Sequence, residues 1–568
     1  MTRRFVASIC LALLILPFVL ATPAVAAPKP NVVLITLDSA RADRMGFLGG
    51  KGNLTPNLNR LASESFVFEH AYAQAPGTVV SHATILTGSY PQSTGLSEIG
   101  GVLASSLPNL ADVLKSQGYK TAAFVGSIDL DPWNGLAQGL DRGFQNYDAG
   151  FRPVTPGDPR PPITERSGAE VVAHATTWLS HNAQGPFFVW VHINDARRGG
   201  AAYNAGITAA DAAVGKLLAA LKAQKADANT AIIVASDHGQ SLGAHGESAH
   251  GIFLYDETIH VPLLVRQPEA QTAAKPVAAK VRLVDVAPTV LEIAGIPVPS
   301  QMQGQSLLRA AKGGGDQPVY SRSDFSQRAF GWSPLESWRA GKYLYIRAPK
   351  PELYDTTADP GATHNLAQSS KGTLDTLASQ LDGFDRRFSG EGSKGSSELS
   401  SAEMQKLASL GYVGIQKSSN SAAVTGTDPK DNIATANKVV EAAGASALSS
   451  AKPERAATAL APISSADGNL YLAEYALGVA QAQKAQYAEA AKHLHKAVEL
   501  QPDSGWAHYE IGATLLKTGD AKTAAVHLEI ATTRLPGFAQ AHAALAQAYD
   551  QLKRPDDAKK ERTKAGVK

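Results

Sequence analysis

The sequence predicts an α/β domain built on a doubly wound, mostly parallel sheet, followed by an all-α repeat solenoid. From Asn31 to about Arg347, short continuous apolar runs alternate with amphipathic helical stretches, the pattern of a largely parallel sheet covered on both faces. Beyond about residue 430 the composition shifts towards Ala, Leu, Lys and Gln, and chosen positions recur every 34 residues. A chain of 568 residues is in any case too long for one hydrophobic core.

Taken in order, the chain opens with Met1-Thr2-Arg3-Arg4, an apolar run from Phe5 to Ala21 and the small-residue site Ala24-Val25-Ala26. These are the basic, apolar and cleavage parts of a secretory signal, with removal expected after Ala26 or Ala27. The alternative is a retained anchor, because the apolar run is close to the lower limit for spanning a bilayer. Arg3-Arg4 also hints at twin-arginine export, although its flanks fit poorly. Cleavage leaves an exported protein, periplasmic or secreted, with no stable membrane span. The one cysteine, Cys10, lies in this segment, so the mature chain has no disulfide.

The central strands are expected at Asn31–Thr36, Thr121–Val125, Phe187–His192 and Ala231–Ala235, with helical spacing at Thr55 to Phe66 and Ala209 to Ala223. Residues Arg347 to Asn365 break up with Pro and Asp, and a helical stretch then runs to about Tyr412. Lys417 to Lys430, with three serines, Gly426 and Pro429, reads as a linker. The expected division is a signal at 1–26, an α/β domain at 28–415, a linker at 416–430 and a repeat domain at 431–568. Within the last, Pro502 and Pro536, Leu477, Ile511 and Leu545, and Ala490, Ala524 and Ala558 keep the 34-residue interval. That period resembles the tetratricopeptide repeat, with Ile433 to Ser464 as one more, degenerate unit.

With 18% charged residues and a net charge of +2, nothing points to nucleic acid as a partner. The chemistry is sought after the carboxyl ends of buried strands, where open α/β sheets bind ligands. Asp38-Ser39 follows the first strand, and Ser236-Asp237-His238-Gly239 follows the strand at Ala231. Either spot alone also suits a helix-capping Asp; together, two carboxylates and an imidazole suit a divalent cation. A third segment, Gln74 to Gly88, puts Thr78 or Ser81 at a loop-to-helix junction. There, helix N–H groups favour an anionic ester and a hydroxyl has the setting of either a nucleophile or an N-cap.

In this order, the segments resemble the sulfatase family of the alkaline-phosphatase superfamily. Its pattern is matched by Asn31 to Asp43, Thr55 to Ala62, Ala83 to Gly88 with Tyr90-Pro91, and Ser236 to Gly239. It continues through Gly243 to Gly246, Tyr255 to Glu257, Val261 to Val265, Pro351 to Asp355 and Asp359-Pro360. With the repeats and Leu410-Gly411-Tyr412-Val413-Gly414, the chain is similar to sulfatase-like proteins that end in tetratricopeptide repeats.

The resemblance implies that Asp38, Asp237 and His238 hold one divalent cation, with Ca, Mn, Mg and Zn not distinguished, and that Thr78 stands where sulfatases carry the residue oxidised to formylglycine. The context Thr78-Val79-Val80-Ser81-His82 lacks the cysteine or serine, the proline and the arginine of that modification, so no formylglycine is expected. Threonine at this place is what related phosphodiesterases and phosphoethanolamine transferases use, as a metal-bound nucleophile. His82, His245 and His250 are candidates for orienting substrate or protonating the leaving group.

Three departures from the family pattern stand out. Ser39 replaces an Asp, Asp195 to Gly200 lacks a histidine and offers Arg197 instead, and Ser127-Ile128-Asp129 replaces a lysine and a histidine. The reading is a metal-dependent hydrolase or transferase of anionic esters, phosphoric or phosphonic rather than sulfuric. The alternative is a catalytically impaired scaffold whose repeats bind a protein or peptide partner.

Overall fold

The computed structural model describes residues 29–151, 163–268, 275–388, 399–410, 412, 426–447 and 453–566. The expected signal segment with Cys10 and most of the expected linker at 416–430 lie outside the described residues.

A nine-stranded sheet forms the centre. Eight of its strands are β1 (Asn31–Leu37), β2 (Phe66–Tyr72), β3 (Lys120–Phe124), β4 (Asn146–Asp148), β5 (Phe187–Ile193), β6 (Thr230–Ser236), β7 (Leu263–Arg266) and β8 (Lys275–Arg282), in the order β8-β2-β7-β6-β1-β5-β3-β4, while His260–Val261 pairs with β2. The four runs expected from sequence are the four adjacent central strands β6, β1, β5 and β3, and all three contacts between them are parallel. Only β7, between β6 and β2, and the short His260–Val261 strand run antiparallel to their neighbours. Alternate residues of β1 enter two cores. Val32 and Leu34 pack on the side of α1 (Thr78–Thr87), and Val33, Ile35 and Leu37 pack on the side of α2 (Gly168–Asn182) and α3 (Tyr203–Ala223). A strand buried on both faces has no polar side to alternate, which is why it reads as one apolar run.

The region before Arg347 is not wholly doubly wound, as the sequence suggested. Residues Val319–Ser323, Leu335–Ala340, Tyr343–Arg347 and Glu352–Asp355 form β9 to β12, a separate four-stranded antiparallel meander. Its strands mix polar with apolar residues, because antiparallel strands place alternate residues on different surroundings, and the Pro-containing break after Arg347 is the short connection into β12. Likewise, the helical spacing at Thr55 to Phe66 yields a helix only over Pro56–Ala62.

The C-terminal region is helical. After α4 (Ser401–Ser409) come α5 (Ile433–Ala447), α6 (Pro453–Ala466), α7 (Tyr471–Gln483), α8 (Tyr487–Leu500), α9 (Gly505–Thr518), α10 (Ala521–Arg534), α11 (Ala539–Gln551) and α12 (Pro555–Lys564). The 34-residue spacing reappears as equivalent contacts. A Cβ at Gly478 would lie 2.6 Å from the Leu494 side chain, and one at Gly512 would lie 2.6 Å from the Leu528 side chain, so a larger residue at either place requires the facing leucine to shift. A polar pair joins α7 to α8, α9 to α10 and α11 to α12: Glu474–His493 at 2.7 Å, His508–His527 at 2.9 Å and His542–Glu561 at 2.5 Å. His508 and His542 also donate from Nε2 to the carbonyls of Pro502 and Pro536, both at 3.2 Å.

One surface of this array is taken by the chain itself. Leu407 and Tyr412 pack with Ala490, Leu494 and Ile530, Glu403 accepts from Arg534 at 2.7 Å, and Lys406 donates to Glu529 at 2.5 Å.

The middle pair gives a pH prediction. Burial pushes His508 down to about 4, and burial together with His508 lowers His527. Both are depressed in the fold, so their contribution is complete above the ordinary histidine range near 6.5 and is lost as pH falls towards the folded values. Thermal unfolding of the helical region should show a loss on the order of 2 kcal/mol between about pH 8 and pH 5. His527→Glu, which copies the His542–Glu561 pairing, should flatten that dependence.

Candidate active site

The carboxyl ends of β1 and β6 lie side by side because Leu37 is in register with Ser236. The next residues, Asp38 and Asp237, are therefore neighbours, and both are fully buried. Ser39 follows with φ +60°, a left-handed turn that folds its hydroxyl back to donate to Asp38 Oδ1 at 2.6 Å, while its N–H donates to Asp237 Oδ1 at 3.1 Å. α1 comes in from the other side of the sheet with Thr78 as its first residue. Thr78 Oγ1 lies 3.4 Å from Asp38 Oδ2 and 3.2 Å from His238 Nε2.

Hydrogen-bond partners define the imidazoles. His238 Nδ1 donates to the Gly239 carbonyl at 2.8 Å, leaving the Nε2 lone pair directed at Thr78 and the carboxylates. His82 Nδ1 donates to the Thr78 carbonyl at 2.7 Å and its Nε2 accepts from Thr36 Oγ1 at 2.9 Å; Thr36 in turn accepts from Trp190 Nε1 at 2.9 Å. Both nitrogens of His82 are thus engaged, and the ring anchors the first turn of α1. His192, absent from the sequence-derived set, completes the cluster. Its Nδ1 accepts from the Gly126 N–H at 3.3 Å, so its Nε2 carries the proton and faces Asp38 Oδ2 at 3.5 Å.

These groups fit a cation. Asp38, Asp237 and His238 present ligand atoms all within 4.8 Å of one another, and Asp237 Oδ2 is buried without a hydrogen-bond partner among the described residues. His82, His192 and Asp237 also converge, but neither histidine offers a free lone pair. Burial and the neighbouring Asp38 push the Asp237 carboxyl well up. Burial would raise Asp38 too, but His192, Arg197 and His238 hold it well below the usual range. Two buried carboxylates at this separation are not both ionised without positive charge between them, and an oxygen-rich set with one nitrogen suits a hard or borderline divalent ion.

The remaining candidates are divided. His250 stacks on His238 with ring centroids 4.2 Å apart and donates from Nδ1 to the Pro76 carbonyl at 3.2 Å. Burial, with His238 beside it, lowers it well below the usual histidine value, which favours the neutral ring. His245 lies elsewhere, stacked on Tyr255 at 3.6 Å with Nε2 3.9 Å from Glu257.

Arg197 pairs with Asp129 and donates to Ser127 Oγ at 2.6 Å, both through Nη1. Two sequence departures, in the loops after β3 and β5, are therefore halves of one contact. The first free N–H groups of α1 are also taken, since Val79 and Val80 donate to the Glu98 carboxylate at 3.3 and 2.9 Å. A Cβ on Gly77 would lie 2.4 Å from that carboxyl group, and burial raises Glu98 to about 7. His192, Thr36 and Glu98 were missed. The legible signal for the first two was a polar residue inside an otherwise apolar buried strand; Glu98 had none.

A carboxylate–imidazole cluster that could hold a metal ion, with a hydroxyl at a helix start, lies at the strand ends of a largely parallel sheet. Residues 30–196 and 193–296 match the sulfatase family, and residues 245–384 match the C-terminal part of N-sulphoglucosamine sulphohydrolase. The α/β part of the chain belongs to the sulfatase family, whose members are ester hydrolases and normally use a divalent metal.

An ulvan-active sulfatase of Formosa agariphila is 27% identical over 413 residues, covering 62% of this chain and 80% of the relative. A Delta 4,5-hexuronate-2-O-sulfatase of Bacteroides thetaiotaomicron is 24% identical over 60% of this chain and 85% of its own. Among solved structures, a 2-O GAG sulfatase superposes with a TM-score of 0.54 at 21% identity, over 64% of this chain and 93% of its own. The phosphonate monoester hydrolase of Agrobacterium radiobacter gives 0.54 at 20%, over 63% and 96%. At such identities these structures establish the fold.

Elemental analysis of the purified protein should find about one divalent cation per chain, and saturating metal should raise the stability of chelator-treated protein by about 3 kcal/mol at a hundredfold excess over Kd. Asp237→Asn should lower metal content and abolish most of that gain.

Proposed function

We propose that the chain is an exported, metal-dependent ester hydrolase or transferase in which Thr78 is the nucleophile, acting on phosphoric or phosphonic esters in preference to sulfate esters. The observation that carries the reading is the hydroxyl of Thr78 held between Asp38 Oδ2 and His238 Nε2 at 3.4 and 3.2 Å. The absence of cysteine or serine at that position supports phosphorus over sulfur, because the aldehyde chemistry of sulfate ester cleavage has no precursor there. The repeat reading of the helical region and export by the N-terminal segment belong to the same proposal.

Asp38, Asp237, His238 and Thr78 would hold the cation. When bound it supplies positive charge that acidifies the Thr78 hydroxyl and offsets charge on the ester's non-bridging oxygen. Thr78 Oγ1 gives up its proton to water and attacks phosphorus, the bond to the ester oxygen breaks on the opposite side, the departing alkoxide takes a proton from water and leaves as the alcohol, and a threonyl ester forms. Water, or an alcohol in a transfer reaction, then attacks phosphorus and returns Oγ1. His250, neutral with Nδ1 on Pro76, accepts the proton of that attacking hydroxyl. His82, Thr36 and Trp190 fix the backbone at Thr78, so that Oγ1 keeps its line of attack. The Arg197–Asp129 pair ties the two loops beside Asp38.

Nitrophenyl esters of phosphate, phosphate diester, phenylphosphonate and sulfate distinguish the outcomes. The expected order places a phosphodiester or phosphonate first, and Thr78→Ala should lower its turnover by at least about a thousandfold. A sulfate ester turned over fastest, or a Thr78→Ala enzyme as active as its parent, overturns the proposal.

A further inference from the structure

The loop at 241–251 joins the metal-ligand candidates to the helical region. Two of its residues that bear side chains, Leu242 and His245, have φ of +54° and +53°, a left-handed backbone that persists only where surrounding contacts hold it. The inner end of the loop carries His250, which stacks on His238 and donates to the carbonyl of Pro76, two residues before Thr78. Gly246 and Ser248, at the outer end, lie at the surface.

α5 grips that outer end. Asn437 Oδ1 accepts from both the N–H and the hydroxyl of Ser248 at 3.0 Å, and Asn437 Nδ2 donates to the Gly246 carbonyl at 2.8 Å. One side-chain amide thus serves alternate residues of the loop as acceptor and as donor. A Cβ on Gly246 would lie 3.2 Å from Ile433, and Gly246 has φ +84°, so a side chain there would be both crowded and strained. A second tie reaches the same loop. His245 stacks on Tyr255, whose hydroxyl donates to Glu352 at 2.7 Å, and Glu352 pairs with Lys430 at 2.5 Å. Lys430 lies in the short turn Pro429–Asn432 that leads into α5. Lys430, Ile433 and Asn437 all lie beyond the sulfatase-family matches, which end at residues 296 and 384.

We propose that Asn437 is a positioning residue for His250, and that the helical region thereby forms a working part of the hydrolytic centre. Asn437 does not touch the reacting atoms. It fixes Gly246 and Ser248, and Ser248 is two residues from the ring that lies on His238. The inference rests on the hydrolase reading for the work that His250 does, whereas the hold on the ring does not depend on turnover.

Diethyl pyrocarbonate modification of the full chain, read histidine by histidine in a mass spectrometer, tests that hold. In Asn437→Ala, His250 should react about fivefold faster, the effect of one hydrogen bond on the opening of the loop, while the exposed His174 reacts as in the parent. Alanine favours α5, so the variant does not weaken the helix itself. An unchanged rate at His250, or an equal rise at His174, overturns the assignment. Turnover adds a readout specific to positioning. For the preferred nitrophenyl ester, kcat should fall about fivefold in Asn437→Ala with KM unchanged, and the same substitution in a His250→Ala background should cost nothing further. An equal loss in both backgrounds overturns the assignment. If Asn437→Ala unmasks His250 but the parent cleaves no nitrophenyl ester, the hydrolase reading fails alone; if the parent cleaves an ester through Thr78 but the reactivity of His250 is unchanged, the positioning assignment fails alone.

Discussion

Parallel pairing of β1 with β6, with Leu37 opposite Ser236, brings two aspartates that are distant in sequence to one buried point. The rest of the site is arranged around the electrostatic cost of that juxtaposition. His192 and the Arg197–Asp129 bridge favour the charged form of Asp38; Ser39 and the backbone of His238 satisfy one oxygen of Asp237 and leave the other open. A one-residue slip in the register would separate the carboxylates and destroy the centre. Positioning the nucleophile is a second matter, met by α1 and the His82–Thr36–Trp190 chain.

Much of this was legible in the sequence, for identifiable reasons. Strands buried on both faces read as unbroken apolar runs, so β1, β3, β5 and β6 could be located, and the polar residues that follow two of them lead directly to Asp38, Asp237 and His238. Thr78 stood out because polar residues give way there to an apolar helix. The less apolar strands β9 to β12 were not separable from irregular chain. His192 was hidden inside a strand that had been recognised, since membership of a core strand said nothing about which partner its ring would find.

Contacts between distant loops were the harder part. Arg197 and the Ser127–Asp129 segment looked like two independent losses from the family pattern, whereas they are one ion-paired bridge. Glu98 sits on the N–H groups that the sequence assigned to an anionic ester, and nothing in its local context marks a residue that caps a helix from a loop. In both cases the information lies in a tertiary pairing, and neither composition nor periodicity encodes it.

The helix Ser401–Ser409, with Tyr412, is seated on α8 and α10 and lies in sequence between the α/β domain and the helices that it covers. Because it belongs to the same chain as that surface, it acts as a tethered ligand whose effective local concentration is set by the connection. An external helix competing for the same surface must overcome that advantage before it gains any net binding. On this surface the helices are already covered by their own chain, and an external helix binds there only by displacing Ser401–Ser409.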